Sequence, residues 1–206
     1  MTLAAYMIAD VRIVNRQKFE AVTPSMRLLA QKHHGRFLAV GEKPEVVQGG
    51  WHPEFMMLVE FADRAAAEAM LGSSGFAALS DRSVNHAMFD IVLADGICPS
   101  QFGGRAAAPL FAVADTRIVN RPAFEEYRTE VHKSMREQGG RYLVLSDRVT
   151  TIAGNWAPSH LTVMEFETRE LGYAAHSGAQ YKEARDRGNN AAMFDVVALP
   201  GLAPGE

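Results

Sequence analysis

Asp10-Val-Arg-Ile-Val-Asn-Arg16 returns as Asp115-Thr-Arg-Ile-Val-Asn-Arg121. The offset holds along the chain: Phe19-Glu20 meets Phe124-Glu125, Gly35-Arg36 meets Gly140-Arg141, Trp51 and Pro53 meet Trp156 and Pro158, and Ala87-Met-Phe-Asp90 meets Ala192-Met-Phe-Asp195. Roughly 28 of about 92 aligned positions are identical at this single spacing, more than chance likeness of two helix-rich segments produces. A whole domain has been duplicated. The expected division is a first repeat at 1–96, a Gly-, Pro- and Ala-rich linker at 97–109, a second repeat at 110–201 and a tail at 202–206.

Each copy reads as strand, helix, two strands, helix, strand. Tyr6 to Ile13 is rich in β-formers and ends at Asn15, a helix N-cap, after which Phe19, Val22, Met26 and Leu29 follow helical spacing. In the second copy Asn120 caps, Pro122 sits in the first turn, and Phe124, Tyr127, Val131 and Met135 form the apolar stripe. Pro24 predicts a kink in the first-copy helix. Arg36 to Val40, Phe55 to Phe61 and Met88 to Leu93 read as strands, with helical pieces at Arg64 to Leu71 and Phe76 to Arg82. This βαββαβ order predicts an α+β fold of two ferredoxin-like domains, each an antiparallel sheet with helices on one face.

Period-two alternation assigns Met7, Ala9, Val11, Phe37, Ala39, Phe55 and Met57 to the helix-bearing face. The opposite face holds Tyr6, Ile8, Asp10, Arg12, Arg36, Leu38, Val40, Leu58, Glu60 and Asp90, an apolar surface with embedded charges that is too greasy to stay wet. The second copy carries a matching face with Phe111, Asp115, Arg117, Arg141, Glu165 and Asp195. The two sheets are therefore expected to close on each other as an intramolecular pseudo-dimer, and further pairing of whole chains stays open.

Tyr6-Met-Ile-Ala-Asp-Val-Arg-Ile13, His33-His-Gly-Arg-Phe-Leu38, the Gly50-Trp-His-Pro53 turn, Glu60-Phe61 and Phe89-Asp-Ile-Val-Leu93 resemble the bacterial family called domain of unknown function 1330, of the dimeric α/β-barrel superfamily. The resemblance covers nearly the whole chain, once per copy, and implies ferredoxin-like domains packed sheet to sheet. It implies no single reaction, because the superfamily hosts isomerases, decarboxylating or cyclising lyases, monooxygenases and haem enzymes. The family's His-Gly-Gly-Arg stands here as His33-His-Gly-Arg36 and as Gln138-Gly-Gly-Arg141.

The charges shared between copies, Asp10/Asp115, Arg12/Arg117, Arg36/Arg141, Glu60/Glu165 and Asp90/Asp195, have two readings. As structure, they are paired networks that fix how the sheets dock. As chemistry, the arginines bind a substrate carboxylate while Tyr6 or Asp10 moves a proton. Trp51 and Trp156 are either end plugs or aromatic walls for a planar ligand. All seven histidines are unshared: His33, His34, His52 and His86 meet Gln138, Gly139, Ala157 and Ala191, while His132, His160 and His176 meet Arg27, Phe55 and Leu71. His52, beside Trp51 in a loop, and His86, before the last strand, are the expected acid/base groups, and His33, His34 and His132 read as solvated helix residues. Substrate contacts are expected from Arg12, Arg36, Trp51, Glu60, Arg117, Arg141 and Trp156.

Composition narrows the class. A formal charge of -3 without a long basic run solicits neither nucleic acid nor an anionic membrane. The lone Cys98 forms no internal disulfide and lacks metal-site neighbours, and the apolar start is too short and too charged for a span, so a cytoplasmic protein without a metal is expected. No phosphate loop, nucleophile elbow or zinc motif occurs. The expectation is a cofactor-independent lyase (decarboxylase) or isomerase acting on a small, carboxylated metabolite, aromatic or not, in a barrel pocket. The alternatives are a cofactor-free or haem-dependent monooxygenase-like enzyme, or a non-catalytic small-molecule-binding or assembly module.

Overall fold

The computed structural model describes residues 2–100, 109–188 and 190–203. Positions 101–108 of the expected linker and 204–206 of the expected tail lie outside the described residues. The first repeat runs β1 (Ala5–Ile13), α1 (Arg16–Phe19), α2 (Val22–Lys32), β2 (Gly35–Glu42), β3 (Glu45–Gln48), β4 (Phe55–Phe61), α3 (Arg64–Leu71), α4 (Ser74–Ser83) and β5 (Ala87–Asp95). The second runs β6 (Leu110–Ile118), α5 (Arg121–Glu137), β7 (Arg141–Ser146), β8 (Val149–Ala153), β9 (His160–Phe166), α6 (Arg169–Ser177), α7 (Ala179–Gly188) and β10 (Ala192–Pro200). Among the described residues no helix is long and apolar enough to cross a membrane.

The capping asparagines act as their positions predict. Asn15 accepts from the Lys18 amide at 3.2 Å and Asn120 from the Ala123 amide at 3.3 Å, satisfying donors that the first helical turn leaves over. The expected kink is a break between α1 and α2 at Glu20 and Ala21, which places Pro24 in the first turn of α2, where its missing N–H costs nothing. With Pro122 already at the start of α5, the equivalent second-repeat helix is continuous over 17 residues.

Both sheets are antiparallel, ordered β2-β4-β1-β5-β8 and β3-β10-β6-β9-β7. The short strands β3 and β8 were not apparent from alternation, and each leaves its own repeat: β8 pairs with β5 and β3 pairs with β10. The exchange covers an edge on each sheet that would otherwise present unpaired backbone groups. Chain ends cross over in the same way, with the Ile97 amide donating to Leu143 O at 2.9 Å and the Leu202 amide to Leu38 O at 2.8 Å.

The greasy faces meet as expected. Tyr6, Ile8, Leu58, Val92, Phe111, Leu143 and Val163, all at most 1% exposed, pack into one core between the sheets. Alternation misplaces Ala39 and Val40. A register shift after Phe37 turns both Leu38 and Ala39 toward the inter-sheet core and returns Val40 to the helix side. The same irregularity in β7 turns Leu143 and Val144 inward together.

Candidate active site

The shared charges other than Arg12 and Arg117 form two pairs of matching clusters at the sheet-to-sheet contact. In the first repeat Tyr6 Oη donates to Glu60 Oε1 at 3.0 Å, and Arg36 Nε donates to Glu60 Oε2 at 3.2 Å. In the second, Arg141 Nε donates to Glu165 Oε2 at 3.0 Å, with Phe111 in the place of Tyr6. The tryptophans build the other pair. Trp51 Nε1 donates to Asp10 Oδ2 and Trp156 Nε1 to Asp115 Oδ2, both at 2.8 Å, and the two rings lie 5.0 Å apart. Asp195 of the second repeat accepts from the Gly50 and Trp51 amides at 2.6 and 3.1 Å, while Asp90 of the first accepts from Asn155 and Trp156 at the same two distances. Burial raises the Asp10 and Asp115 carboxyls above their ordinary range, opposed by the indole hydrogen bonds.

The remaining candidates are dispersed. Arg12, Arg117 and His52 are exposed. His86 is half-buried and lines a groove with Lys18, Ser25 and Arg82 on the helix side of the first sheet, the face opposite Tyr6. Among the described residues, apolar side chains pack the centre of the inter-sheet space.

A cavity lies instead between the second sheet and its helices, beneath α5. Its polar lining includes Tyr127, Tyr142, His160, Thr162, His176 and Tyr181. The first repeat holds Val22, Phe37, Phe55, Met57, Leu71 and Phe76 at these six positions, and all six pack in its apolar core. One copy of the fold is therefore solid where the other is hollow and polar. The volume open to the centres of water-sized molecules is about 60 Å³. At roughly 10–15 Å³ per water this is about four to six waters, whose liquid volume at ~30 Å³ each matches that of a single six-membered ring.

His160 is the most specifically held group in this lining. It starts β9, and its ring is 3% exposed, with Nδ1 2.5 Å from Asp147 Oδ1 and Nε2 3.3 Å from Thr162 Oγ1. Phe124 meets the ring edge to face at 5.1 Å. Asp147 is also bound by Arg121 at 3.0 Å. Its slight burial raises its pKa, but the His160 bond and Arg121 outweigh this and leave it below the usual carboxylate value. The Asp147 carboxylate at Nδ1 orients the ring so that Nε2 faces Thr162.

His132 and His176 complete the lining. His132, on α5, lies 4.4 Å from the Tyr142 ring, and burial with Arg128 and Arg136 nearby lowers it to about 4, so it is neutral at pH 7. His176 Nδ1 lies 2.8 Å from Gly172 O and is likewise lowered by burial. Arg128 and His132 also line an outer cleft with Lys133, Arg136 and Glu137, where Arg128 pairs with Glu125 and Lys133 with Glu137. Among the described residues no three His, Cys, Asp or Glu side chains group as metal ligands.

The family model for "Domain of unknown function (DUF1330)" matches residues 4–97 and again 109–202. The chain belongs to the DUF1330 family. No curated protein matches the sequence. Among solved structures, a candidate monooxygenase from Lactobacillus acidophilus NCFM is similar at 14% identity and a TM-score of 0.55, covering 98% of this chain and 97% of that one. An anthrone oxidase-like protein is similar at 10% identity and 0.58, covering 100% and 95%. A mutant chlorite dismutase from Candidatus Nitrospira defluvii is similar at 10% and 0.57, covering 98% and 92%. At these identities the likeness shows the dimeric α/β-barrel fold.

In this DUF1330 chain His160 and His176 are not among the acid/base groups expected from the sequence, which are His52 and His86. A signal for them exists: each replaces an apolar core residue of the sister copy, Phe55 or Leu71, and a titratable group at a core position in one copy alone marks a candidate site.

Proposed function

We propose that this protein is a cofactor-independent acid/base enzyme that moves a proton on a small planar substrate held in the second-repeat cavity. The observation that carries the proposal is His160, buried in the cavity wall and oriented by Asp147. Orientation by a carboxylate makes Nε2 the group that takes and returns the proton, with Thr162 beside it. Phe124 and Tyr127 offer aromatic surface, and Arg128 at the mouth, paired with Glu125, can take an anionic substituent only by sharing or exchanging that partner. Isomerisation and decarboxylation both fit this equipment. On this reading Tyr6, Asp10, Arg36, Trp51, Glu60, Arg141 and Trp156 fix the docking of the repeats, and Arg12, Arg117, His52 and His86 lie outside the site.

The test is loss of C–H signal in D2O across a panel of monocyclic carbonyl and carboxyl compounds, followed by proton NMR. Catalysed exchange is expected, reduced about 10²–10⁴-fold in His160→Ala and less in Asp147→Asn. Equal rates in His160→Ala and the parent would remove His160 from the chemistry.

The names of two fold neighbours, a candidate monooxygenase and an anthrone oxidase-like protein, favour a second reading, cofactor-free oxygenation. It begins with the same deprotonation, and the carbanion then gives electrons to O2. Oxygen uptake matching substrate loss would select it. A haem group does not fit, because a tetrapyrrole is several times larger than the cavity.

A further inference from the structure

Tyr142 is unlike His160, Thr162, His176 and Tyr181 of the cavity wall. His160 and Thr162 face each other, His176 meets the Gly172 carbonyl, and Tyr181 Oη donates to Gln48 Oε1 at 3.0 Å. Tyr142 is 5% exposed, and its buried hydroxyl has no hydrogen-bond partner among the described residues. Packing does not require that hydroxyl, since Phe37 occupies the same place in the first repeat and is buried to a similar degree. The environments of the two rings also correspond, with Arg27 over Phe37 and both His132 and Arg136 against Tyr142. The second repeat has therefore added a phenol to a site that folds without one, and a buried unpaired hydroxyl is destabilising unless something else accepts its proton.

We infer that Tyr142 is the hydrogen-bond donor to the ligand, and that the cavity takes a single-ring compound bearing a carbonyl oxygen. The inference rests on reading this cavity as the reaction site. Ring size follows from the cavity volume, an acceptor follows from the unmatched donor, and the acid/base reading makes that acceptor a carbonyl. Burial pushes the Tyr142 phenol well above its ordinary value, so it remains a neutral donor across the working pH range. The chemistry then has a defined course. His160 Nε2 takes a proton from the carbon next to the carbonyl, the C–H electron pair becomes a C=C bond, and the carbonyl π pair moves onto oxygen, where Tyr142 Oη donates to the enolate. Return of the proton from His160 to the same carbon gives exchange; where the substrate carries a β,γ double bond, the intermediate is a dienolate and return to its γ-carbon gives the conjugated isomer, and no oxidant is consumed.

The experiment compares 2-cyclohexenone with toluene, of similar size but without an acceptor, by ligand-observed NMR titration of the whole chain and of its Tyr142→Phe and His160→Ala variants. The parent is expected to bind 2-cyclohexenone more tightly than toluene. Tyr142→Phe should lose about 3- to 10-fold in enone affinity, the value of one hydrogen bond, while toluene affinity holds and reports an intact fold. Unchanged enone affinity in Tyr142→Phe, or no preference for the enone in the parent, overturns the inference. Deuterium exchange into the bound enone separates the two levels. Tyr142-dependent binding with no exchange in the parent supports Tyr142 as the ligand donor and removes the acid/base reading, whereas His160-dependent exchange with Tyr142-independent binding does the reverse.

Discussion

Gln48 of the first repeat accepts a 3.0 Å hydrogen bond from Tyr181 of the second, across 133 positions of sequence. Tyr181 lines the cavity, and Gln48 ends the strand β3 that has crossed to the second sheet. Val47 of the same strand packs on the second-repeat core. Every residue lining the cavity belongs to the second repeat, but one of them is thus held by the first, and duplication in one chain supplies that partner at a fixed ratio.

Exchanged strands make each half incomplete alone. Separately encoded residues 1–100 and 109–206 are expected to copurify as a one-to-one complex when coexpressed. Either half alone should self-associate or aggregate, because the fully buried inter-sheet core would be exposed. Light scattering on the separated halves checks this, and a well-folded monomer of either half would contradict it.

Asp195 and Asp90 each hold two backbone amides of the other repeat's tryptophan turn. Replacing either by Ala should destabilise the fold by about 1–3 kcal/mol, with similar values at the two sites. Gly154→Ala should be at least as damaging, since φ is +75° and an added Cβ would meet Asp90 Oδ1 and Phe89 O. Urea unfolding of the three variants measures all of this. A neutral Asp195→Ala would remove these aspartates from the docking role.

The outer architecture was legible because duplication prints it twice: cap residues, apolar alternation and charge positions recur at one spacing, and independent lapses do not coincide. Three features were not. The exchange of β3 and β8 depends on which edge a short polar strand meets, and nothing local to Glu45–Gln48 encodes that. The inward turn of Ala39 follows from one unpaired residue in β2, which period-two counting cannot register. The cavity depends on six side chains on five different elements, visible only when each is set against its apolar counterpart in the other copy.

His132 should make the fold acid-sensitive. Its pKa is about 4 in the folded protein against an ordinary 6.5, so the unfolded chain takes up the proton first as pH falls. Its contribution to stability is fully present above pH 6.5 and is lost as pH drops toward 4. The shift alone is equivalent to about 3 kcal/mol, which solvent screening of the partly exposed ring reduces to about 1–2 kcal/mol. Asp10 and Asp115, with raised values, act in the opposite sense, so the comparison must be between the parent and His132→Gln rather than on the parent alone. Urea unfolding at pH 7 and pH 4.5 should show a smaller loss in His132→Gln, and parallel pH profiles would contradict the assignment.

Restoring first-repeat residues to the cavity separates stability from function. The triple variant His160→Phe, Thr162→Met, His176→Leu places in the second repeat the side chains that already pack in the first-repeat core. Asp147 loses a partner but is half-exposed and keeps Arg121. Apolar filling of a polar hollow should stabilise by about 0.5–2 kcal/mol per substitution, with incomplete additivity because the three sites share one space. At about 2–4 °C per kcal/mol for a chain of this size, the rise is readily seen by calorimetry. Ligand binding and proton exchange should disappear together. A variant that is both more stable and inactive identifies the hollow as maintained for function at the expense of packing. One that is less stable would show instead that the second-repeat backbone has adapted to its polar lining, making the cavity a feature of packing.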